Sequence, residues 1–139
     1  MVKLPDKLVL EIVTPERQVI KAIVDEVSLP ASQGYIGVLP GHAPLLTTLS
    51  TGIVKYKQKD KEYFLFLSGG FAEVLSDKII VLAQIVEKPE EIDVERAKSS
   101  KERAEKRLSS HDKDIDIDRA MASLKRALAR IEVSLKINK

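Results

Sequence analysis

Arg119, Arg126 and Arg130 are spaced so that, on a helix turning about 100° per residue, they fall within about 60° of one another. Guanidinium groups on one stripe repel each other unless something anionic lies near. Arginine's planar fork is also the side chain best shaped to grip phosphate. Earlier in the chain, Asp93 and Arg96 stand three apart and share a face if that segment is helical. Two readings of this pair are open: Asp93 caps the helix and Arg96 pairs with it, or both reach a ligand. Charged residues on helices also commonly form nothing more than a solvated face.

Other chemistries find little support. A phosphate-cradling loop needs glycines followed by Lys and Ser/Thr at the mouth of a helix, and the chain has no such run. Ser68-Gly69-Gly70 lies between two strand-like runs and reads as a bulge or tight turn. His42, in Pro40-Gly41-His42-Ala43-Pro44, has no partner for base catalysis and reads as a structural or contact residue. His42 and His111 are too few and too far apart for a metal site, and cysteine is absent. The expectation is no catalytic residue, no metal, and a chain that is not itself an enzyme.

With 23 basic against 21 acidic residues and 44% hydrophobic content, the chain reads as a soluble globular protein, and its bulk charge points to no nucleic acid. The lack of cysteine fits a reducing compartment. The opening Met1-Val2-Lys3-Leu4-Pro5-Asp6 lacks the apolar core of a signal peptide, and no stretch approaches the ~20 apolar residues of a membrane span. Membrane association is expected only through a partner.

The elements that must position these residues change character near Pro89. All glycines lie at or before Gly70 and all aromatics at or before Phe71. Runs rich in Val, Ile, Leu and Tyr predict strands over 8–13, 18–22, 26–29, 52–58, 62–67, 71–75 and 78–86, separated by turn-formers. Strands at this spacing without intervening helices predict an antiparallel β-sandwich. Beyond Pro89 the composition turns to Ala, Lys, Arg, Glu and Leu. One helix is predicted from about Asp93 to Leu108, with Glu102 placed to pair with Lys106, and a second from Asp114 or Asp116 after the polar break 109–113. The fold class is thus α+β, with a sandwich over residues 1–88 and a two-helix antiparallel hairpin over 89–139.

In the second helix Ile117, Met121, Leu124, Leu128, Ile131 and Leu135 recur at steps of four and three, a heptad-like seam suited to another helix. The first helix answers with only Ala97, Ala104 and Leu108. Burial of a large aliphatic side chain is worth ~1.5–3 kcal/mol and of an alanine far less, so the hairpin is weakly held and able to open. Either a second protein accepts the Leu/Ile seam, or a ligand tips the balance between compact and extended forms.

Gly34-Tyr35-Ile36-Gly37-Val38-Leu39-Pro40-Gly41-His42-Ala43-Pro44-Leu45-Leu46-Thr47, then Ser68-Gly69-Gly70-Phe71, then Ile92-Asp93-Val94-Glu95-Arg96-Ala97, resemble in order and spacing the epsilon subunits of bacterial F-type ATP synthases. The resemblance covers essentially the whole chain and is to the ATP-binding, Bacillus-like type. It implies a non-catalytic rotor component at the cytoplasmic face of the cell membrane. The sandwich would fasten to the gamma subunit and rest on the c-subunit ring; the helices, when extended, would reach the alpha and beta subunits and inhibit ATP hydrolysis. It further implies that the compact hairpin binds one ATP without hydrolysing it, through Glu87, Ile92, Asp93, Arg96, Ala97, Arg126 and Arg130. Ser32, Gln33, Gly41 and His42 would belong to a loop contacting the ring or gamma, although Gln33 stands where some relatives carry an acidic residue. The rival reading is a protein-interaction adaptor with no nucleotide site.

Overall fold

The computed structural model describes residues 3–137; Met1, Val2, Asn138 and Lys139, at the ends of the two expected units, lie outside the described residues. The chain runs through β1 (Leu8–Val13), β2 (Gln18–Val24), β3 (Glu26–Ala31), β4 (Gly34–Val38), β5 (Leu45–Leu49), β6 (Gly52–Gln58), β7 (Lys61–Val74) and β8 (Lys78–Glu87). A 3-10 turn, Pro89–Glu91, then leads into α1 (Val94–Ser109) and α2 (Ile117–Ser134). This is the expected α+β arrangement of a sandwich followed by two helices.

Alternation builds the sandwich. Leu8, Leu10 and Ile12 of β1 point inward and are fully buried, while Val9, Glu11 and Val13 line the other face. They join Leu29, Val54 and Ile79 in one continuous core. β1 pairs antiparallel with β2 and parallel with β8, which sets the first strand beside the last. β7 is the spine: its first half pairs with β6, its second half with β5, and β8 runs along most of its length.

Three expectations fail here for identifiable reasons. The runs 62–67 and 71–75 are one strand, because Gly69 and Gly70 adopt φ of 76° and 125° without leaving the sheet. A Cβ at position 70 would stand 2.1 Å from the Leu82 carbonyl oxygen, so the glycine lets the β7 backbone press against β8. Residues 32–42 do not form a single loop. Gly34–Val38 pairs with β3 after a tight turn at Ser32-Gln33, a strand disguised by glycine at two of its positions. β5, Leu-Leu-Thr-Thr-Leu behind Pro44, was missed because it lacks alternation.

In the hairpin Asp93 and Asp116 are N-caps, accepting the backbone N–H of Arg96 and Arg119 at 3.1 and 3.0 Å. The helices meet along small residues: Ala97 and Ala104 on α1, Ala120 and Ala127 on α2, are all buried, and Leu108 is half-buried. Of the Leu/Ile row, Leu124 and Ile131 are half-buried beside this seam and the rest lies off it. Ile117, Met121, Leu128 and Leu135 are each about half or more exposed, because alanine, not leucine, permits the close approach that α2 makes to its neighbours. The expected Glu102–Lys106 pair is not among the ion pairs of the described residues; α1 carries Glu95–Lys98 instead, at 4.0 Å.

Gly70→Ala is expected to cost more than ~2 kcal/mol of stability or to prevent folding, through both strain and the clash with β8. Gly37→Ala, which meets nothing within 4 Å, should change it by less than ~1 kcal/mol. Urea denaturation of both variants checks the contrast.

Candidate functional site

α2 has four distinct sides. With Ala120 as origin, Ala127 lies about 20° away, and the row from Ile117 to Leu135 occupies one flank at about 20–100°. Arg119, Arg126 and Arg130 occupy the opposite flank at about 80–120°, and Ala129 with Val133 lies across from the alanines, at about 140–180°. The helix is therefore wedged between α1 and the sandwich, with aliphatic side chains along one flank and arginines along the other.

Ala129 and Val133 rest on Phe66 and Ile92, with Ile53 and Val94 packed around them, in a core separate from that of the sandwich. Phe66 is fully buried although it points away from the main core: Leu65 and Leu67 face inward and Phe66 faces the hairpin. The guanidinium carbon of Arg130 lies 4.4 Å from the Phe66 ring centroid, while its Nε donates to Glu87 Oε1 at 2.8 Å. Arg130 thus touches a ring face and a carboxylate at once. Both charged side chains remain more than a quarter exposed, so the ion pair is worth no more than about 1 kcal/mol. Nearer the end of the chain, Lys136 Nζ lies 4.7 Å from the Phe64 ring centroid.

The start of the hairpin is also tied to the sandwich. Glu91 accepts the Lys88 N–H at 2.9 Å through Oε1, and Arg17, in the β1–β2 turn, donates to both its oxygens at 3.0 and 2.7 Å. Burial pushes the Glu91 carboxyl up, but the Lys88 amide and the Arg17 guanidinium outweigh it and hold the group below the usual glutamate range.

Among the expected nucleotide residues, Glu87 and Arg130 are joined directly, and Ile92 is buried beneath α2. Asp93 takes its capping role through the backbone of Arg96, not through that residue's guanidinium. Ala97 is buried. Arg126 donates to Ser123 Oγ at 3.2 Å within its own helix. Arg96 and Arg126 make no ion pair among the described residues, which leaves two guanidiniums uncommitted to any carboxylate.

The expected contact loop divides in two. Ser32 hydrogen-bonds the Thr48 carbonyl at 3.1 Å, and Gln33 is exposed in the turn beside it. Gly41, with φ of 87°, donates to the Ser76 carbonyl at 2.7 Å, and His42 Nδ1 contacts the Ala43 carbonyl at 2.6 Å. The five residues of β4, at about 3.3 Å each, separate the two groups.

The arginine flank is a surface, not an enclosed cavity. The hollows nearest the hairpin lie elsewhere: a cleft of about 280 Å³ on the aliphatic side of α2, bordered by Tyr35, Leu128 and Glu132, and a broad groove beside Tyr63 and Lys136. Among the described residues no group of His, Asp or Glu is gathered to hold a metal. Phe66, Arg17 and Glu91 were not singled out from sequence. Alternation around Leu65 and Leu67 carried a signal for Phe66; nothing local marks a pair 74 residues apart.

Residues 7–89 match the family model described as the ATP synthase delta/epsilon chain β-sandwich domain, and residues 90–134 that of its long α-helix domain. The chain belongs to the ATP synthase epsilon chain family. It is 51% identical to the epsilon chain of Brevibacillus brevis over 129 residues, covering 92% of this chain and 98% of the relative. Against that of Lawsonia intracellularis it is 50% identical over 125 residues, covering 90% and 94%. A chain in the mitochondrial ATP synthase OSCP/F1/c-ring assembly of Euglena gracilis shares the fold, with TM-score 0.81, 23% identity and coverage of 96% and 84%. Like its family, this protein is a non-catalytic ATP synthase subunit.

Because the folded-state pKa of Glu91 is depressed, its stabilising effect is present above the unfolded value and is lost as pH falls through the folded one. The difference in thermal midpoint between the parent and Glu91→Gln should be constant from pH 7 to 6. It should shrink below roughly pH 4.5, as followed by circular dichroism.

Proposed function

We propose that this chain is a central-stalk rotor subunit of the proton-translocating ATP synthase, that its helices restrain ATP hydrolysis when extended, and that one unhydrolysed ATP holds them compact. The observation that carries the reading is the two-sided character of α2. Its arginine flank carries Arg130 on Glu87, while on its aliphatic flank Ile117, Met121, Leu128 and Leu135 are exposed. ATP phosphates engage Arg126 and Arg130 with help from Arg96, and Glu87, freed from Arg130, reads the adenine side or orients an arginine. Asp93 keeps the α1 terminus in place and Ile92 and Ala97 wall the site. A ligand that binds only the compact form stabilises it by RT ln(1 + [L]/Kd), about 2.7 kcal/mol at a hundredfold excess. That is of the order of the contacts that dock the hairpin, so scarce ATP releases it.

When released, the row from Ile117 to Leu135 meets the gamma, alpha and beta subunits. The sandwich offers gamma a second apolar surface: Thr48, Phe71, Leu82 and Val13 lie in register across β5, β7, β8 and β1, with Phe71 and Leu82 nearly half exposed. The c-ring is met near Ser32–Gln33 or near Gly41–His42, whose separation makes them two distinct contacts. No helix among the described residues is long and apolar enough to cross a membrane. The subunit is placed peripherally, at the cytoplasmic face of the bacterial cell membrane, through these partners.

One observation favours the adaptor reading: the arginine flank is open and not enclosed. Calorimetric titration with ATP separates the two. Arg126→Ala should weaken binding at least ~10-fold while the sandwich stays folded, the loss of one charge-assisted contact being worth about 1.5–3 kcal/mol, and Asp93→Ala should weaken it through loss of the helix cap, about 1 kcal/mol. Unchanged affinity in both variants removes the nucleotide site and leaves the adaptor.

A further inference from the structure

We propose that Arg17 is a hinge clip: by gripping Glu91 it keeps the 3-10 turn on the sandwich, so that the hairpin pivots only beyond that residue, at Ile92-Asp93. This rests on the reading that the hairpin opens, and it specifies where.

Three observations converge. Arg17 comes from a turn with its own internal order: the Thr14 N–H donates to the Arg17 carbonyl at 2.9 Å, and Thr14 Oγ1 accepts the amides of Glu16 and Arg17 at 3.3 Å. Glu91 has two simultaneous duties. One carboxylate closes the turn on the Lys88 amide and accepts from one terminal nitrogen of Arg17 on both oxygens, so turn and sandwich share a single anchor. Directly after Glu91 the regular structure breaks, with Ile92 held by its packing under α2 and Asp93 by its cap. Ile92 and Asp93 belong to no regular element, both with extended backbones, and the Ile92 N–H reaches the Pro89 carbonyl only at 3.4 Å.

The length of the free segment decides what the hinge can do. If everything from Lys88 to Asp93 were released, six residues at up to ~3.6 Å each could carry the base of α1 about 20 Å away. With the turn clipped, two residues allow only about 7 Å. The hairpin then swings about a fixed base and is not let out on a tether. Glu87 and Phe66, which α2 leaves behind, stay on the sandwich side of the pivot, so the same contacts are available when the hairpin returns. Arg17 is thus a positioning residue, and its partly exposed ion pair contributes little to overall stability.

Distance measurements between spin labels on the full-length chain test this, and the absence of cysteine lets labels be placed without other changes. One pair joins Lys21→Cys on β2 to Glu90→Cys in the 3-10 turn; the other joins Lys21→Cys to Leu135→Cys. Val133→Asp, which puts a charge under α2, releases the hairpin; Ala129→Glu does the same should that variant not fold. With Arg17 intact, release should lengthen the 21–135 distance by more than ~10 Å, a fraction of the ~27 Å length of α2, while the 21–90 distribution is unchanged. Adding Arg17→Ala should at least double the width of the 21–90 distribution. If the 21–90 distance lengthens with Arg17 present, or stays narrow without it, the clip is overturned and the opening stands. If the 21–135 distance fails to change in either releasing variant, the opening itself is wrong and the hinge goes with it.

Discussion

Arg130 sits where the two halves of the chain meet, its guanidinium over the Phe66 ring and its Nε on Glu87, and the compact arrangement depends on that placement. Around it, Ile92, Ala129 and Val133 join Phe66 in the docking core, with Ile53 and Val94 packed against them. Burying a valine and parts of its neighbours stabilises by a few kcal/mol, and a cation over a ring adds roughly 0.5–2 kcal/mol. The sandwich, by contrast, has an extended core of fully buried leucines, isoleucines and valines. One chain therefore contains a body that stays folded under most conditions and an appendage held by an interaction of ligand-binding size. Elements that open locally are drawn from such weakly held parts.

The alanines explain how α2 can be both docked and available. A helix between two neighbours normally uses its large side chains on the buried sides. Here Ala120 and Ala127 face one neighbour and Ala129 and Val133 the other, leaving the leucines and isoleucines to one flank and the arginines to the opposite one. In the compact form Ile117, Met121, Leu128 and Leu135 of the aliphatic flank face outward.

The fold was legible where pattern and turn chemistry agree. Alternation in Leu8–Val13 and Gly52–Gln58 marked those strands to the residue; Asp93 marked the first helix start, and of the two candidates for the second, Asp114 and Asp116, the latter is the cap. It was obscured where glycine served a tertiary purpose: Gly69 and Gly70 look like a break because their role, the close approach to Leu82, involves a strand still to come in the sequence. The Leu/Ile row misled for a related reason. Periodicity shows which residues share a face, but not whether that face is covered. Of the candidate site, the arginine stripe was readable from helix geometry and Glu87 only through family resemblance, while its contact with Arg130 came with the structure. The Arg17–Glu91 pair, joining segments with no local pattern in common, was not readable at all.

The parallel pairing of β1 with β8 bears on the order in which the molecule is made. β1 and its parallel partner β8, which meet across Leu10–Ile79 and Ile12–Val81, are separated in the chain by six other strands. Closure therefore depends on contacts of long sequence separation, the slow class of folding event. The helices follow β8 in the chain, so the strands that carry Phe66 and Glu87 precede the hairpin that docks on them.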